Sequence, residues 1–243
     1  MERHKLDWLI LTATRGEQET ILESTGGIEP TVLSHRPAVL GQISGQSVAI
    51  VSAGIGAVNT AQALTAVLER TEVGCVLQTG IGGAFRSSGL VVGDVAVATE
   101  EIAGEFGVIT EDGWLDGSTI GIPLIESDPP VYNHISLDAD VSARALAAAA
   151  IVSAESTAQT GPFLTVQNVT GSDAVADELD DRFGAICENM EGFAAAQICQ
   201  IYDVPFCEIR GISNTVETRD LSKWDIPEAS RIAQLAALEL IRG

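Results

Sequence analysis

Residues 188–220 read ENMEGFAAAQICQIYDVPFCEIRGISNTVETRD, and this stretch decides the fold class. Met190-Glu191-Gly192 opens a helix rich in alanine and isoleucine, Val204-Pro205 ends it, and the apolar run 206–212 reads as a strand. The strand delivers Ser213-Asn214 to its carboxyl end. In open α/β sheets ligands sit at that edge, so Glu191 at a helix start and Asn214 at a strand end can converge on one small molecule.

The same alternation of strand and helix runs through the rest of the chain. Residues 8–12 form a short apolar strand, followed by a polar-started helix over 17–24. Residues 46–52 form another strand, Gly54-Ile55-Gly56 its turn, and 57–69 a helix with apolar residues at helical spacing. A third strand covers 74–79 and ends at Gly80-Ile81-Gly82-Gly83, and a fourth covers 90–99 with a bend at Gly93-Asp94. Residues 101–132, punctuated by glycine and proline, read as a long surface loop in which Phe106 and Trp114 either pack locally or cap a ligand or partner. A helix over 139–155, a strand over 162–169, a helix over 173–183 stopped by Gly184, and a helix over 227–241 with Pro227 in its first turn complete the pattern. The expected architecture is α/β in one domain, residues 1–243.

Composition narrows the function. The 243 residues are 46% hydrophobic, enough for one large core. A formal charge of −21, from 34 acidic and 13 basic residues, argues against nucleic acid or an anionic membrane as partner and leaves a small molecule. The same acidity, with Lys5 and Lys223 the only lysines, also suits a saline setting. Cys75, Cys187, Cys199 and Cys207 lie in apolar stretches without a CxxC pair, so buried reduced thiols and a cytoplasmic protein are expected. His4, His35 and His134 have no metal-ligand spacing, so no metal is expected. The start, MERHKLDW, carries no long apolar segment, and no apolar run reaches bilayer length, so a soluble, non-exported protein is expected.

The glycine turns do not make a dinucleotide site. After Gly54-Ile55-Gly56 the third glycine of a GxGxxG fingerprint is replaced by Asn59, and no helix clearly follows Gly80-Ile81-Gly82-Gly83. Close approach of backbone to a sugar or base is the better use of these glycines.

Four motifs carry a resemblance that spans nearly the whole chain. The runs 52–59 (SAGIGAVN), 79–83 (TGIGG) with Gly93-Asp94 downstream, 189–192 (NMEG) and 210–214 (RGISN) resemble successive signatures of the nucleoside phosphorylase and nucleosidase superfamily. Within it, Thr14-Arg15-Gly16-Glu17, the ENMEG helix start and RGISN-x-V-x-x-R-D with Trp224 after it look most like the futalosine hydrolases. The resemblance implies a three-layer αβα sandwich with a central mixed, partly barrel-like sheet, a homo-oligomer, and no cofactor. It also implies release of hypoxanthine from the nucleoside futalosine, in menaquinone biosynthesis. A methylthioadenosine/S-adenosylhomocysteine-type nucleosidase, a purine nucleoside phosphorylase, and a non-catalytic nucleoside-binding protein stay open beside it.

Cleaving an N-glycosidic bond builds positive charge on the ribose and negative charge on the leaving base. The resemblance gives Glu17 the proton of the attacking water, with Glu19 the alternative if the register differs, and gives Glu191 the ribose hydroxyls. Asn214 takes the leaving base. An amide N–H can donate to the O6 and N7 acceptors of a 6-oxopurine, whereas relatives that cleave adenine nucleosides carry an aspartate there. A turn cap is the ordinary role of an isolated asparagine, but Glu17 and Glu191 accompany this one. Ile81, Gly82, Gly83, Phe85, Val169, Asn189, Met190 and Ser213 are the expected substrate contacts, with base stacking from Phe85 or another loop. The arginine and hydroxyl that hold phosphate in bacterial phosphorylases fall at Gln78 and Ile81, which favours water as nucleophile. Arg15, Arg36 and Arg86 are the candidate partners for a substrate carboxylate.

Overall fold

The computed structural model describes residues 4–33, 35–153 and 156–243. In chain order its elements are β1 His4–Thr12, α1 Glu19–Glu23, β2 Gly26–Leu33, β3 Arg36–Ile43, β4 Gln46–Ser52, α2 Ala57–Leu68, β5 Thr71–Ala84, β6 Val95–Ala103, β7 Gly107–Thr110, β8 Gly113–Asp116, β9 His134–Ser136, α3 Ala139–Val152, β10 Ala158–Thr165, α4 Asp173–Phe183, β11 Cys187–Asn189, α5 Gly192–Tyr202, β12 Phe206–Thr215 and α6 Ile226–Arg242. Asp138, Ser172 and Asp225 each accept a backbone N–H from the first turn of α3, α4 and α6, and Gly184 ends α4 in the left-handed region at φ +56°.

One mixed sheet runs β11-β10-β6-β12-β5-β1-β4-β3-β2. β5 pairs parallel with β1 and β12, and near its end it also pairs antiparallel with β11. That second pairing closes β5, β12, β6, β10 and β11 into a ring, while β1 to β4 remain an open wing. Consecutive residues Leu9, Ile10 and Leu11 are all fully buried because helices cover both faces of the sheet. On one face α2 and α5 pack over Leu9, Leu11, Ala49 and Val76. On the other, α1, α3 and α6 pack over Ile10, Val48, Ile50 and Leu77, so the molecule is the expected three-layer sandwich with a partly closed barrel. Each fully buried aliphatic side chain contributes about 1.5–3 kcal/mol to that core.

Ring closure explains the glycines after residue 79. The third strand does not end there but continues to Ala84. A Cβ at Gly82 would collide with Cys187 Sγ, and one at Gly80 would meet the carboxyl of Glu17, so side chains here would hold the strands apart. The fourth strand starts at Val95 rather than Leu90. Asp94 makes the preceding segment a turn, its carboxylate accepting from Val91 N at 2.8 Å and Thr157 N at 2.7 Å. The strand expected over 162–169 spans Ala158–Thr165, and the helix expected to reach residue 155 is seen to Val152, residues 154 and 155 lying outside those described.

The region 101–132 is more ordered than a loop. β6 extends to Ala103, β7 and β8 form a hairpin, and Ile125 bridges to Val131. Trp114 stacks edge-on against Phe183 with centroids 5.3 Å apart, and Phe106 fills the space above Gly117, so both aromatics pack within the chain. All four cysteines are buried free thiols. Among the described residues no helix is long and apolar enough to cross a membrane.

Candidate active site

A cleft of about 650 Å³, open mouth included, lies at the carboxyl ends of β1, β5 and β12. That volume suits a nucleoside-sized ligand. Its floor is built around Glu191, the residue just before α5. The Glu191 Oε1 accepts from Gly56 N at 2.9 Å, and Oε2 accepts from Arg210 Nη2 at 3.0 Å. Gly56, at φ +91°, thus turns the β4–α2 connection so that its N–H points at a carboxylate. Asn189 fixes the backbone on the other side, its Oδ1 accepting from Glu191 N at 2.9 Å and Gly192 N at 2.8 Å.

Glu17 reaches the same cleft from the turn after β1. Its Oε2 accepts from Thr14 N at 2.8 Å and Thr14 Oγ1 at 3.0 Å, and its Oε1 accepts from Ile81 N at 3.1 Å. Ile81 is gripped from both sides, because its carbonyl accepts from Arg210 Nη1 at 3.0 Å. Glu17 is buried and lines the cleft, whereas Glu19 is exposed and borders a neighbouring groove. Arg210 is buried between Glu208 and Glu191, with its Nε 2.6 Å from Glu208 Oε1. Burial alone would lower its pKa, but Glu208, Glu191 and Glu17 outweigh that and hold it above its usual value.

Asn214 owes its aim to a β-bulge. The register of β12 against β5 slips between Ile212 and Asn214, so Ser213 is the extra residue. Ser213 Oγ lies 3.2 Å from Gly82 O and 2.8 Å from Asn214 Oδ1. One amide N–H of Asn214 goes to Thr215 O at 2.9 Å, and the second is left for the cleft. Gly83 keeps space for this amide, since a Cβ there would approach Asn214 Nδ2 to 3.1 Å.

Of the remaining expected contacts, Ile81, Gly82, Gly83, Val169, Asn189, Met190 and Ser213 line the cleft. Phe85 does not. It is 1% exposed and packs with Ile102, Leu164 and Val166 under α4, because the residue after β5 turns into the core. The aromatic in the wall is instead Trp224, whose ring carries Arg219 at 4.9 Å. A third acid, Glu188, lines the cleft beside Glu17 and Glu191. Glu188 accepts from Thr170 N at 3.2 Å and from Thr170 Oγ1, and burial raises its pKa despite those two bonds.

The phosphorylase superfamily model matches residues 7–242. The chain belongs to this superfamily. It is 32% identical over 227 residues to the futalosine hydrolase of Acidothermus cellulolyticus, covering 92% of this chain and 85% of that one. It is 30% identical over 186 residues to the 5'-methylthioadenosine/S-adenosylhomocysteine nucleosidase of Mycobacterium bovis, covering 72% of each. Its fold matches the crystal structure of the corresponding nucleosidase from Neisseria meningitidis in complex with methylthio-immucillin-A, with a TM-score of 0.84 at 21% identity, over 97% of this chain and 98% of that one.

Within this superfamily of phosphorylases and nucleosidases, the cations of the present chain are placed tellingly. Arg210 is committed to Glu208 and Glu191. Arg36 donates to Gln62 and Asn59, and Arg86 is held by Asp173, Asp177 and Glu217 outside the cleft. Arg15 is exposed and has no ion pair among the described residues. Gln78 is fully buried rather than in the cleft wall. Among the described residues no group of His, Cys, Asp and Glu is arranged to hold a metal ion. Arg210 and Glu188 had a signal in the sequence, as charges set inside apolar strands that require buried partners.

Proposed function

We propose that the chain hydrolyses the N-glycosidic bond of a 6-oxopurine nucleoside, with futalosine as substrate and hypoxanthine as the released base. The observation that carries this reading is the convergence of Glu17, Glu191 and Asn214 on one cleft whose wall, among the described residues, holds no uncommitted arginine. Glu17, held at the cleft by three donors, accepts the proton of the attacking water. Glu191 accepts from the ribose hydroxyls and places its charge beside the developing oxocarbenium ion. The free N–H of Asn214 donates to N7 or O6 of the departing base. Phosphate as nucleophile would need charge-assisted donors in the cleft, and the one arginine there is spent on carboxylates.

The reading of the chain as an adenine-releasing nucleosidase draws on its 30% identity to the Mycobacterium bovis enzyme. The two part at Asn214, whose amide meets the two acceptors of hypoxanthine and offers no acid to protonate an adenine N7. The test is incubation with futalosine, aminodeoxyfutalosine, inosine and methylthioadenosine in phosphate-free buffer, following the base released. Hypoxanthine from futalosine is the expected outcome. Adenine release overturns the role of Asn214, a requirement for added phosphate makes the enzyme a phosphorylase, and binding without turnover makes it a binding protein.

A further inference from the structure

We propose that Glu101 and Glu208 share one proton beneath the cleft, and that this pair positions Glu191 through Arg210 and Asn189. The proposal rests on the reading of Glu191 as a group that touches the nucleoside. Glu101 on β6 and Glu208 on β12 are both fully buried in neighbouring strands of the closed ring. Their carboxyls lie against each other within hydrogen-bonding reach, and a Cβ at Gly192 would collide with both. Glu101 Oε2 accepts from Thr165 Oγ1 at 3.2 Å and from Asn189 Nδ2 at 3.5 Å, and Glu208 Oε1 accepts from Arg210 Nε at 2.6 Å. The other oxygen of each acid, Glu101 Oε1 and Glu208 Oε2, has no donor among the described residues. Two ionised carboxylates in contact and shielded from bulk solvent repel each other strongly, and one proton between them supplies a donor and removes the repulsion.

The charges around the pair point the same way. Among the described residues Arg210 is the cation that acts on the pair, and Glu101, Glu208, Glu191 and Glu17 all face it, with the thiol of Cys187 and the acid of Glu188 on β11 behind. Burial, followed by the neighbouring acid, pushes Glu101 well above the usual carboxylate range. The pair controls Glu191 by two routes. Glu208 orients the guanidinium that donates to Glu191 Oε2, and Glu101 holds the amide of Asn189, whose oxygen accepts from the backbone of Glu191 and Gly192.

A folded-state pKa raised above its unfolded value stabilises the protein at low pH, and that contribution is lost as pH rises through the folded value. The native protein is therefore expected to lose melting temperature and kcat together on the alkaline side as the second acid ionises. Glu208→Gln and Glu101→Gln put an amide N–H where the shared proton was. Each is expected to lose less than about tenfold in kcat at neutral pH and to flatten the alkaline limb of both profiles. Glu208→Leu, which removes the acceptor of Arg210, is expected to lose more than about a hundredfold in kcat with a smaller change in KM.

Infrared difference spectra of the native protein across the same pH range should show a buried protonated carboxyl that disappears in either glutamine variant. An alkaline limb unchanged in both glutamine variants, or a native spectrum without that band, overturns the proposal. The melting and infrared measurements need no substrate. If no nucleoside is hydrolysed, the functional reading fails while the pair is still tested.

Discussion

Among the described residues two arginines each hold more than one carboxylate, and they do opposite work. Arg210 is 2% exposed, with partners Glu191 and Glu208 at 4% and 0%, whereas Arg86 is 46% exposed and meets Asp173, Asp177 and Glu217 at 54%, 65% and 21%. The outer cluster, joined by Lys223 through Glu217, is bathed in water and screened by salt. The inner one has traded hydration for geometry. Burying charge is unfavourable unless every partner is in place, so Arg210 and its acids constrain where Glu191, Ile81 and Glu17 can be. Of these two clusters, the one enclosed by the ring of strands is the one that shapes the cleft.

The largest effect is expected from neutralising the acids that the inner cluster aims. Glu191→Gln and Glu17→Gln are each expected to lower kcat by about 10²–10⁴ on the hydrolysed nucleoside, measured by base release. Glu19→Gln, two residues from Glu17 and exposed, is expected to stay within about threefold, and an equal loss there would mean the wrong acid has been named. Removing the inner cation comes next. Arg210→Met leaves Glu208 and Glu191 buried without their partner and is expected to cost about 3–5 kcal/mol in denaturant unfolding. A variant as stable as the parent would show that the inner cluster is no more demanding than the outer one. The smallest effect belongs to Arg86→Ala, whose melting temperature is expected to match the parent's in high salt and to differ only slightly in low salt. A large, salt-insensitive loss would erase the contrast.

Much of the site was legible because the decisive residues carry local signals. Glu191 opens a helix, Asn214 ends a strand, and Gly56 sits in a strand-to-helix turn, so each could be placed from its neighbours alone. What escaped depends on contacts across the ring. Nothing within residues 79–84 says that β11 will pair there, so the glycines read as a turn when they are the continuation of β5. Phe85 reads as a wall residue for the same reason, and nothing local marks Trp224, in the segment between β12 and α6, as the aromatic of the wall. β2 and β3 were not anticipated at all. They form an edge hairpin whose outer strand is largely exposed, with Pro30 and Pro37 in its strands, so neither an apolar run nor a clean alternation marks it.

The pairing of β5 with β11 also sets when the site can come into being. Residues Gly83 and Ala84 must wait for Glu188 and Cys187, about a hundred positions later, and β12 must then slot between β5 and β6. The wing strands β1 to β4 are contiguous in sequence, whereas the cation that faces Glu17 and Glu101, Arg210, lies far along the chain on β12. Such distant closures are slow because loop entropy is spent before any contact is gained. Closure of the ring, and with it the cleft, therefore draws on both halves of the chain, and removing β12 would take away the strand that carries both Arg210 and Asn214.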